Sequence, residues 1–242
     1  MNNNWKNIWN KREDHFRDID MTNKEQVFME LKRIDGFDIN AEGEGLTYQA
    51  LIYQHEDIRQ NLSFGGRTIT SLFDVGCGCG ANLYLFHEEG ITIGGIDYSE
   101  KMIEIAKKLF HNDELKECIC GEAIHVPTQI QYDAILANSV FSYFSDLEYT
   151  EAVLEKLLQK TRYSIGLIDL HNADKKQEFI EYRKRVMEDY EERYRNLPKL
   201  FYEKQFFIDF AKKHNCEVRF TESVLDGYWN NPYIFNCFLY KK

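Results

Sequence analysis

The sequence predicts an α/β fold: a mostly parallel sheet with helices on both faces, an antiparallel strand pair at its C-terminal end and a helical cap before it. Three observations carry the prediction. From Ser71 onward short apolar runs alternate with amphipathic ones, the pattern of strands buried on both faces and joined by crossover helices. The first run ends at Asp74-Val75 and is followed by glycines at alternate positions, Gly76, Gly78 and Gly80, before an apolar helix begins. An acidic residue, Asp97, stands about twenty residues farther on, at the end of the next run.

Before Ser71 the apolar spacing predicts helices over 5–16, 23–34 and 47–62, with loop at Gly36 and across Glu42-Gly43-Glu44-Gly45. These segments make up the expected cap, residues 1–70, over a core of residues 71–242. With three prolines, no low-complexity tract and no repeat, the change of pattern is the boundary signal. Within the core, 71–75, 91–96, 117–120, 132–137 and 163–170 read as strands. Helices fit between them. One covers 81–87; another covers 99–110, with Ser99 as N-cap and Met102, Ile103, Ala106 and Phe110 on one face; a third covers 147–158 with Leu147, Val153, Leu154 and Leu157. A charged helix follows over 173–196 and stops before Pro198; its stripe of Phe179, Tyr182, Val186, Tyr190 and Tyr194 reads as packing. With a second helix over 203–214 it forms an insertion at about 173–214, and strands 216–221 and 233–240 then pair as an antiparallel hairpin at the sheet edge.

A chain of 242 residues with 43% hydrophobic content can bury a sizeable core. Its net charge of -10 argues against a phosphate backbone or an anionic membrane as partner. No apolar stretch is long enough to span a bilayer, and Met1-Asn2-Asn3-Asn4-Trp5-Lys6 lacks the layout of a signal peptide, so the expected address is the cytoplasm. The cysteines, at 77, 79, 118, 120, 216 and 237, lie mostly in strand-like sequence without Cys-x-x-Cys spacing; they read as packing rather than as metal ligands, and no metal is expected.

The glycine turn brings backbone close to whatever sits above the sheet, because a Cβ would fill that space. Asp97 occupies the place of the ribose-hydroxyl acceptor in nucleoside-binding α/β folds. The letters also fit the dinucleotide pattern, since Gly76-x-Gly78-x-x-Ala81 is its variant with alanine third, so an NAD-dependent oxidoreductase is the rival reading. Asp74, which would repel a pyrophosphate, the third alternate glycine, Gly80, and the cap ahead of the turn weigh against it.

At Asp74-Val75-Gly76-Cys77-Gly78-Cys79-Gly80 and Gly95-Ile96-Asp97-Tyr98-Ser99 the sequence resembles the class I S-adenosylmethionine-dependent methyltransferases, a Rossmann-like family whose first motif is an acidic residue followed by Gly-x-Gly-x-Gly. The resemblance spans residues 71–170 with recognisable motifs and implies S-adenosylmethionine as cofactor. It places the methionine part on Gly76, Cys77 and Gly78, with Asp74 orienting the amino group, and the ribose on Asp97. Tyr98 would lie against the adenine, Glu122 beside Ala123 would meet its amine, and Asn138 and Ser139 at the end of the fourth strand would lie under the cofactor. The opening Trp5-Lys6-x-Ile8-Trp9-Asn10-Lys11-Arg12 and the closing Tyr228-Trp229-Asn230-Asn231-Pro232-Tyr233-x-Phe235-Asn236 are similar to small methyltransferases of bacterial capsule, sugar and natural-product pathways. Sugar hydroxyls, amines and phosphoramidates are among the acceptors of that group.

The expected function is therefore methyl transfer to a small-molecule acceptor, with an oxygen nucleophile on a sugar or a phosphoryl group favoured; a non-catalytic methyltransferase-like binding subunit is a further alternative. A hydroxyl must lose its proton as it attacks, whereas an anionic oxygen needs no base. His171, after the fifth predicted strand, is the candidate base, with Asp169 to orient it. Tyr48, His55, Phe141, Tyr143, Tyr228 and Asn230 are candidates for the acceptor pocket, and Arg59, Arg67 or Arg183 could clamp a phosphoryl group bidentately.

Overall fold

A strand covered on both faces must be apolar at nearly every position, and the stretch from Ser71 to Val75 is buried throughout. In the computed structural model, which describes residues 3–37, 45–111 and 114–242, it is the first strand of a seven-stranded sheet. The strands are β1 (Ser71–Val75), β2 (Thr92–Asp97), β3 (Leu115–Cys120), β4 (Tyr132–Asn138), β5 (Thr161–His171), β6 (Cys216–Thr221) and β7 (Ile234–Lys241). Their spatial order is β3-β2-β1-β4-β5-β7-β6, with the first five parallel and β7 antiparallel to both β5 and β6. The described helices are α1 (Asn3–Trp9), α2 (Lys24–Ile34), α3 (Tyr48–Leu62), α4 (Ala81–Glu88), α5 (Glu100–Leu109), α6 (Leu147–Lys160), α7 (Lys176–Val186), α8 (Tyr190–Tyr194) and α9 (Lys204–Lys213).

Successive strand side chains point to opposite faces, and here they feed two separate cores. Phe73 and Val75 of β1 join Ile135 and Ala137 of β4 under α6 and α9, while Leu72, Ala134 and Leu136 pack under α3, α4 and α5. Each large apolar side chain so buried is worth about 2 kcal/mol, which makes the sheet the rigid frame on which its loops are mounted. The chain runs outward in one direction from β1 through β2 to β3 and in the other from β4 to β5. A crevice opens at such a reversal, outside the carboxyl ends of the strands, and ligands bind there in open α/β sheets.

Several boundaries differ from the sequence expectation for physical reasons. The first helix ends at Trp9 instead of reaching Phe16: Lys11-Arg12-Glu13-Asp14-His15 offers no apolar face, and Asn10 is tied to Ser99 and Glu100 at the start of α5. The expected single helix over 173–196 is a 3-10 turn followed by α7 and α8, with extended backbone at Met187 between them. In a continuous helix Tyr190 and Tyr194 would lie about 10 and 16 Å beyond Arg183. The break folds both rings back to within 5.5 Å of its guanidinium. Ser99 caps α5 as expected, accepting from Met102 N at 3.2 Å. Gly36 lies in a turn with φ +88°, and the loop expected across 42–44 falls outside the described residues.

Candidate active site

The glycine turn after β1 is fixed by backbone hydrogen bonds to β2. Gly76 and Cys77 both donate to Ile96 O, at 2.7 and 3.1 Å. Gly76 and Gly78 have φ of +70° and +55°, and a Cβ on Gly76 would stand 2.4 Å from Val140 Cγ2. The carboxylate of Asp97, at the end of β2, accepts from Gly78 N at 3.0 Å and Ser99 N at 2.8 Å. Burial pushes this carboxyl up to about 6 against the opposing pull of those two N–H groups. Behind the turn Asp74 accepts from Asn82 Nδ2 at 3.3 Å through one oxygen, while the other, Oδ1, is buried with no partner. Burial pushes Asp74 up to about 8, with Asn82 pulling the other way.

Asp74 has a consequence for stability. Between the ordinary carboxylate range near 4 and about 8, the folded chain holds this proton and the unfolded chain does not, so stability falls as pH rises through that window. The buried histidines His55 and His171, lowered from 6.5, act with the opposite sign but only below that value, and Lys199, lowered to about 8, does so above it. Unfolding free energies from urea titration should therefore fall between pH 6.5 and 8, with Asp74 contributing at most about 1.4 kcal/mol per unit, and Asp74→Asn should flatten the profile. An equal slope in that variant would acquit Asp74.

The strand ends open into a cavity of about 1580 Å³, larger than the roughly 300–1,000 Å³ of a one-ligand pocket. Of the expected cofactor residues, Gly76, Cys77, Gly78, Asp97, Tyr98, Ala123, Asn138 and Ser139 line it. Asp74 stands behind the turn, and Glu122 is outside the lining although its neighbour Ala123 is in it. Of the expected acceptor residues, Tyr143 and Tyr228 are in the wall.

The structure places the remaining candidates as follows. His55 lies between α3 and α4, bonded to Glu89 Oε1 at 2.8 Å and edge-on to Phe86, because α3 packs against the sheet through Ile58 and Leu62. Tyr48, in the first turn of α3, packs on Phe28 and is not in the lining. Phe141 is core packing against Phe144 and Tyr202. Arg59 faces Glu89, and Arg67 donates to the backbone of Tyr163 and Lys241, so of the three candidate clamps only Arg183 reaches the cavity. His171 is outside the lining, its ring enclosed by Phe179 and Phe201 with centroids 5.0 and 5.2 Å away. Burial, then Lys199 and Arg183, hold it neutral, and a ring so enclosed cannot reach an acceptor proton. Asp169 does not orient it directly, since Asn230, itself buried, stands between them.

Asp169 does line the cavity. Its backbone is left-handed, with φ +61°, and its carboxylate accepts from Ser139 Oγ at 2.7 Å, Tyr228 Oη at 2.9 Å and Asn230 Nδ2 at 3.0 Å. Burial raises its pKa, while these donors and Lys199 lower it. The network ties the ends of β4 and β5 to the turn before β7. Trp5 and Trp9 from α1, Arg12, Lys32, Asp35 and Lys199 also line the wall and were not among the site residues expected from sequence. Asp35 Oδ1 accepts from Cys79 N at 3.2 Å, bringing the end of α2 onto the glycine turn. Lys199 is set over the cavity because Leu200 N donates to Ser142 O at 2.8 Å and Tyr202 N to His171 O at 2.7 Å. Trp5, Trp9 and Arg12 lie in the opening motif, though nothing local placed them at the cavity; Lys32, Asp35 and Lys199 carry no local motif, and their signal is tertiary.

Residues 73–162 match the family model described as a methyltransferase domain. A malonyl-[acyl-carrier protein] O-methyltransferase of Priestia megaterium is 34% identical over 93 residues, 37% of this chain and 33% of that protein. The chain thus spans about one third of the length of the curated relatives it matches. Among solved structures, a plantazolicin methyltransferase in complex with SAH and a triazolic desmethylPZN analog superposes with a TM-score of 0.63 at 18% identity, covering 92% of this chain and 96% of that one. A magnesium protoporphyrin IX methyltransferase from Synechocystis PCC 6803 with bound SAH gives 0.61 at 12% identity, covering 90% and 96%. These structures share the fold.

Proposed function

We propose that this chain, whose residues 73–162 form a methyltransferase domain of the class I, S-adenosylmethionine-dependent kind, transfers a methyl group to an oxygen of a small-molecule acceptor. The observation that carries the reading is the Asp97 carboxylate held at the glycine turn on the wall of a cavity larger than one ligand needs. The residues suit the cofactor. Each Asp97 oxygen has one backbone donor and a lone pair left for a ribose hydroxyl, Tyr98 offers a flat face, and Asp74 Oδ1, buried without a partner, is a polar atom behind the turn with a hydrogen bond still to make. When bound, S-adenosylmethionine supplies a methyl group on a positively charged sulfur whose thioether leaving group is neutral.

The chain's own contribution is then chiefly placement. Gly76, Cys77 and Gly78 have their N–H groups engaged already, so the turn is preformed. Helix α1 and the Lys32–Phe37 segment, which bring Trp5, Trp9 and Asp35 to the cavity, act in this reading as its cover. For a hydroxyl acceptor, Asp169 is the group in place to receive the proton, since its Oδ1 accepts from Asn230 alone. The acceptor would be of the kind met in bacterial surface-polysaccharide or natural-product assembly. Among the described residues no helix is long and apolar enough to cross a membrane.

Calorimetry with S-adenosylmethionine and S-adenosylhomocysteine tests the reading: both should bind, and NAD should not raise the melting temperature. If neither sulfur compound produced heat of binding, the proposal would fail.

A further inference from the structure

The chain carries a net charge of -10, yet its cavity is cationic. Eight of the lining residues are Lys or Arg and four are Asp or Glu, and six of the eight cations lie between residues 176 and 199. Two of those six are built into the wall. The Arg183 guanidinium lies 4.8 Å over the Trp229 ring and 5.5 Å from the centroids of Tyr190 and Tyr194, and donates to Tyr194 Oη at 3.4 Å. Lys199 Nζ lies 5.0 Å from the Tyr143 centroid and 6.0 Å from that of Trp5. Trp5 meets Tyr143 edge-on at 4.7 Å and lies 6.3 Å from Tyr194, so a continuous aromatic wall joins the two cations.

Among the described residues neither Arg183 nor Lys199 has a carboxylate within salt-bridge distance. The groups around them show the same deficit of negative charge. Burial pushes the Lys199 ammonium down to about 8, with Arg183 adding to that and Asp169 opposing it, and both cations help keep His171 neutral. Two cations facing one cavity without a carboxylate between them are stabilised by an anion placed there.

We propose that Arg183 and Lys199 form an anion subsite that holds a carboxylate or phosphoryl group of the methyl acceptor, with Trp229, Tyr194 and Tyr143 packed against the rest of it. The inference rests on the methyl-transfer reading for the word acceptor; the subsite itself rests on charge and geometry. A guanidinium stacked on rings presents a fixed fork to two oxygens, and an ammonium adds a point charge from another side.

The tryptophans of the chain, Trp5, Trp9 and Trp229, all line this cavity, so their fluorescence reports on it. Protein saturated with S-adenosylhomocysteine is titrated with phenyl phosphate, benzoate, benzyl alcohol and phenyltrimethylammonium. The two anions should quench saturably and bind roughly tenfold or more tightly than the neutral and cationic probes, and the better of the two identifies the group. Arg183→Gln and Lys199→Met should each weaken anion binding about tenfold and leave S-adenosylhomocysteine affinity, by calorimetry, within about twofold, while Lys199→Arg restores most of the loss. The subsite is overturned if benzyl alcohol or phenyltrimethylammonium binds as well as the anions, or if variants that still bind S-adenosylhomocysteine keep full anion affinity. Wild-type protein that binds no S-adenosylhomocysteine would sink the methyl-transfer reading instead, and the same titration without it still decides the subsite.

Discussion

Asp97→Ala should weaken S-adenosylhomocysteine binding by about 100-fold, or roughly 3 kcal/mol, because hydrogen bonds to a charged group are worth about 1.5–3 kcal/mol each. Two losses combine. The first is the pair of ribose contacts that the free lone pairs would make. The second is internal: Gly78 N and Ser99 N lose their acceptor, so the turn and the start of α5 are no longer fastened to each other. Asp97→Asn separates the terms, since one amide oxygen can still accept from Gly78 or Ser99 but the nitrogen can only donate. An intermediate loss of about tenfold is expected. The carboxyl itself lies up at about 6, so affinity should also fall as pH drops below that value, with the neutral acid a poorer acceptor. Calorimetric titration of the two variants at pH 7.5, and of the wild type down to pH 5, reads all of this. Unchanged affinity in Asp97→Ala would remove the residue from the site.

How far such a site is legible before folding depends on whether its cause is local. The expected strands at Ser71–Val75 and Cys216–Thr221 coincide with the observed ones, because each is a run of strand-forming residues stopped by a turn or by a change of pattern. Gly76, Gly78 and Asp97 were legible for a related reason: a left-handed turn and a carboxylate at a strand end are written in adjacent letters. Residues 173–196 misled because an aromatic stripe fits one helix or two, and what breaks it is Arg183 drawing Tyr190 and Tyr194 onto itself. The position of His171 at the end of β5 was equally legible, but its enclosure by Phe179 and Phe201 depends on α7 and on a segment that returns along β5. The same return brings in Lys199, whose neighbours in sequence, Pro198 and Leu200, announce nothing. The side of the cavity at Gly76, Gly78 and Asp97 is therefore local in origin, and the side at Arg183 and Lys199 is assembled from distant segments.

That assembly converges on Asp169, and Asp169→Ala should cost about 3 kcal/mol of unfolding free energy, against about 1 kcal/mol for Asp169→Asn. Alanine removes the acceptor for Ser139, Tyr228 and Asn230 together, and the last of these is almost fully buried. It must also hold φ near +61°, where a residue with a Cβ and no local polar compensation is strained by about 1 kcal/mol. Asparagine tolerates that backbone, keeps one oxygen for Asn230 or Ser139, and lets the Tyr228 hydroxyl turn to accept. Two effects work against the loss: a carboxyl raised by burial no longer has to be accommodated, and water in the cavity can replace Asp169 for Ser139 and Tyr228. Neither reaches Asn230, which is why a substantial cost remains. Urea unfolding of both variants measures the difference. Equal losses would show that backbone strain and the buried Asn230 contribute little, and that the junction of β4, β5 and the C-terminal turn is held elsewhere. The expected gap would instead make one left-handed aspartate the fastening between Ser139 at the end of β4 and Tyr228 before β7, so that these two parts of the cavity wall are set in register by a single side chain.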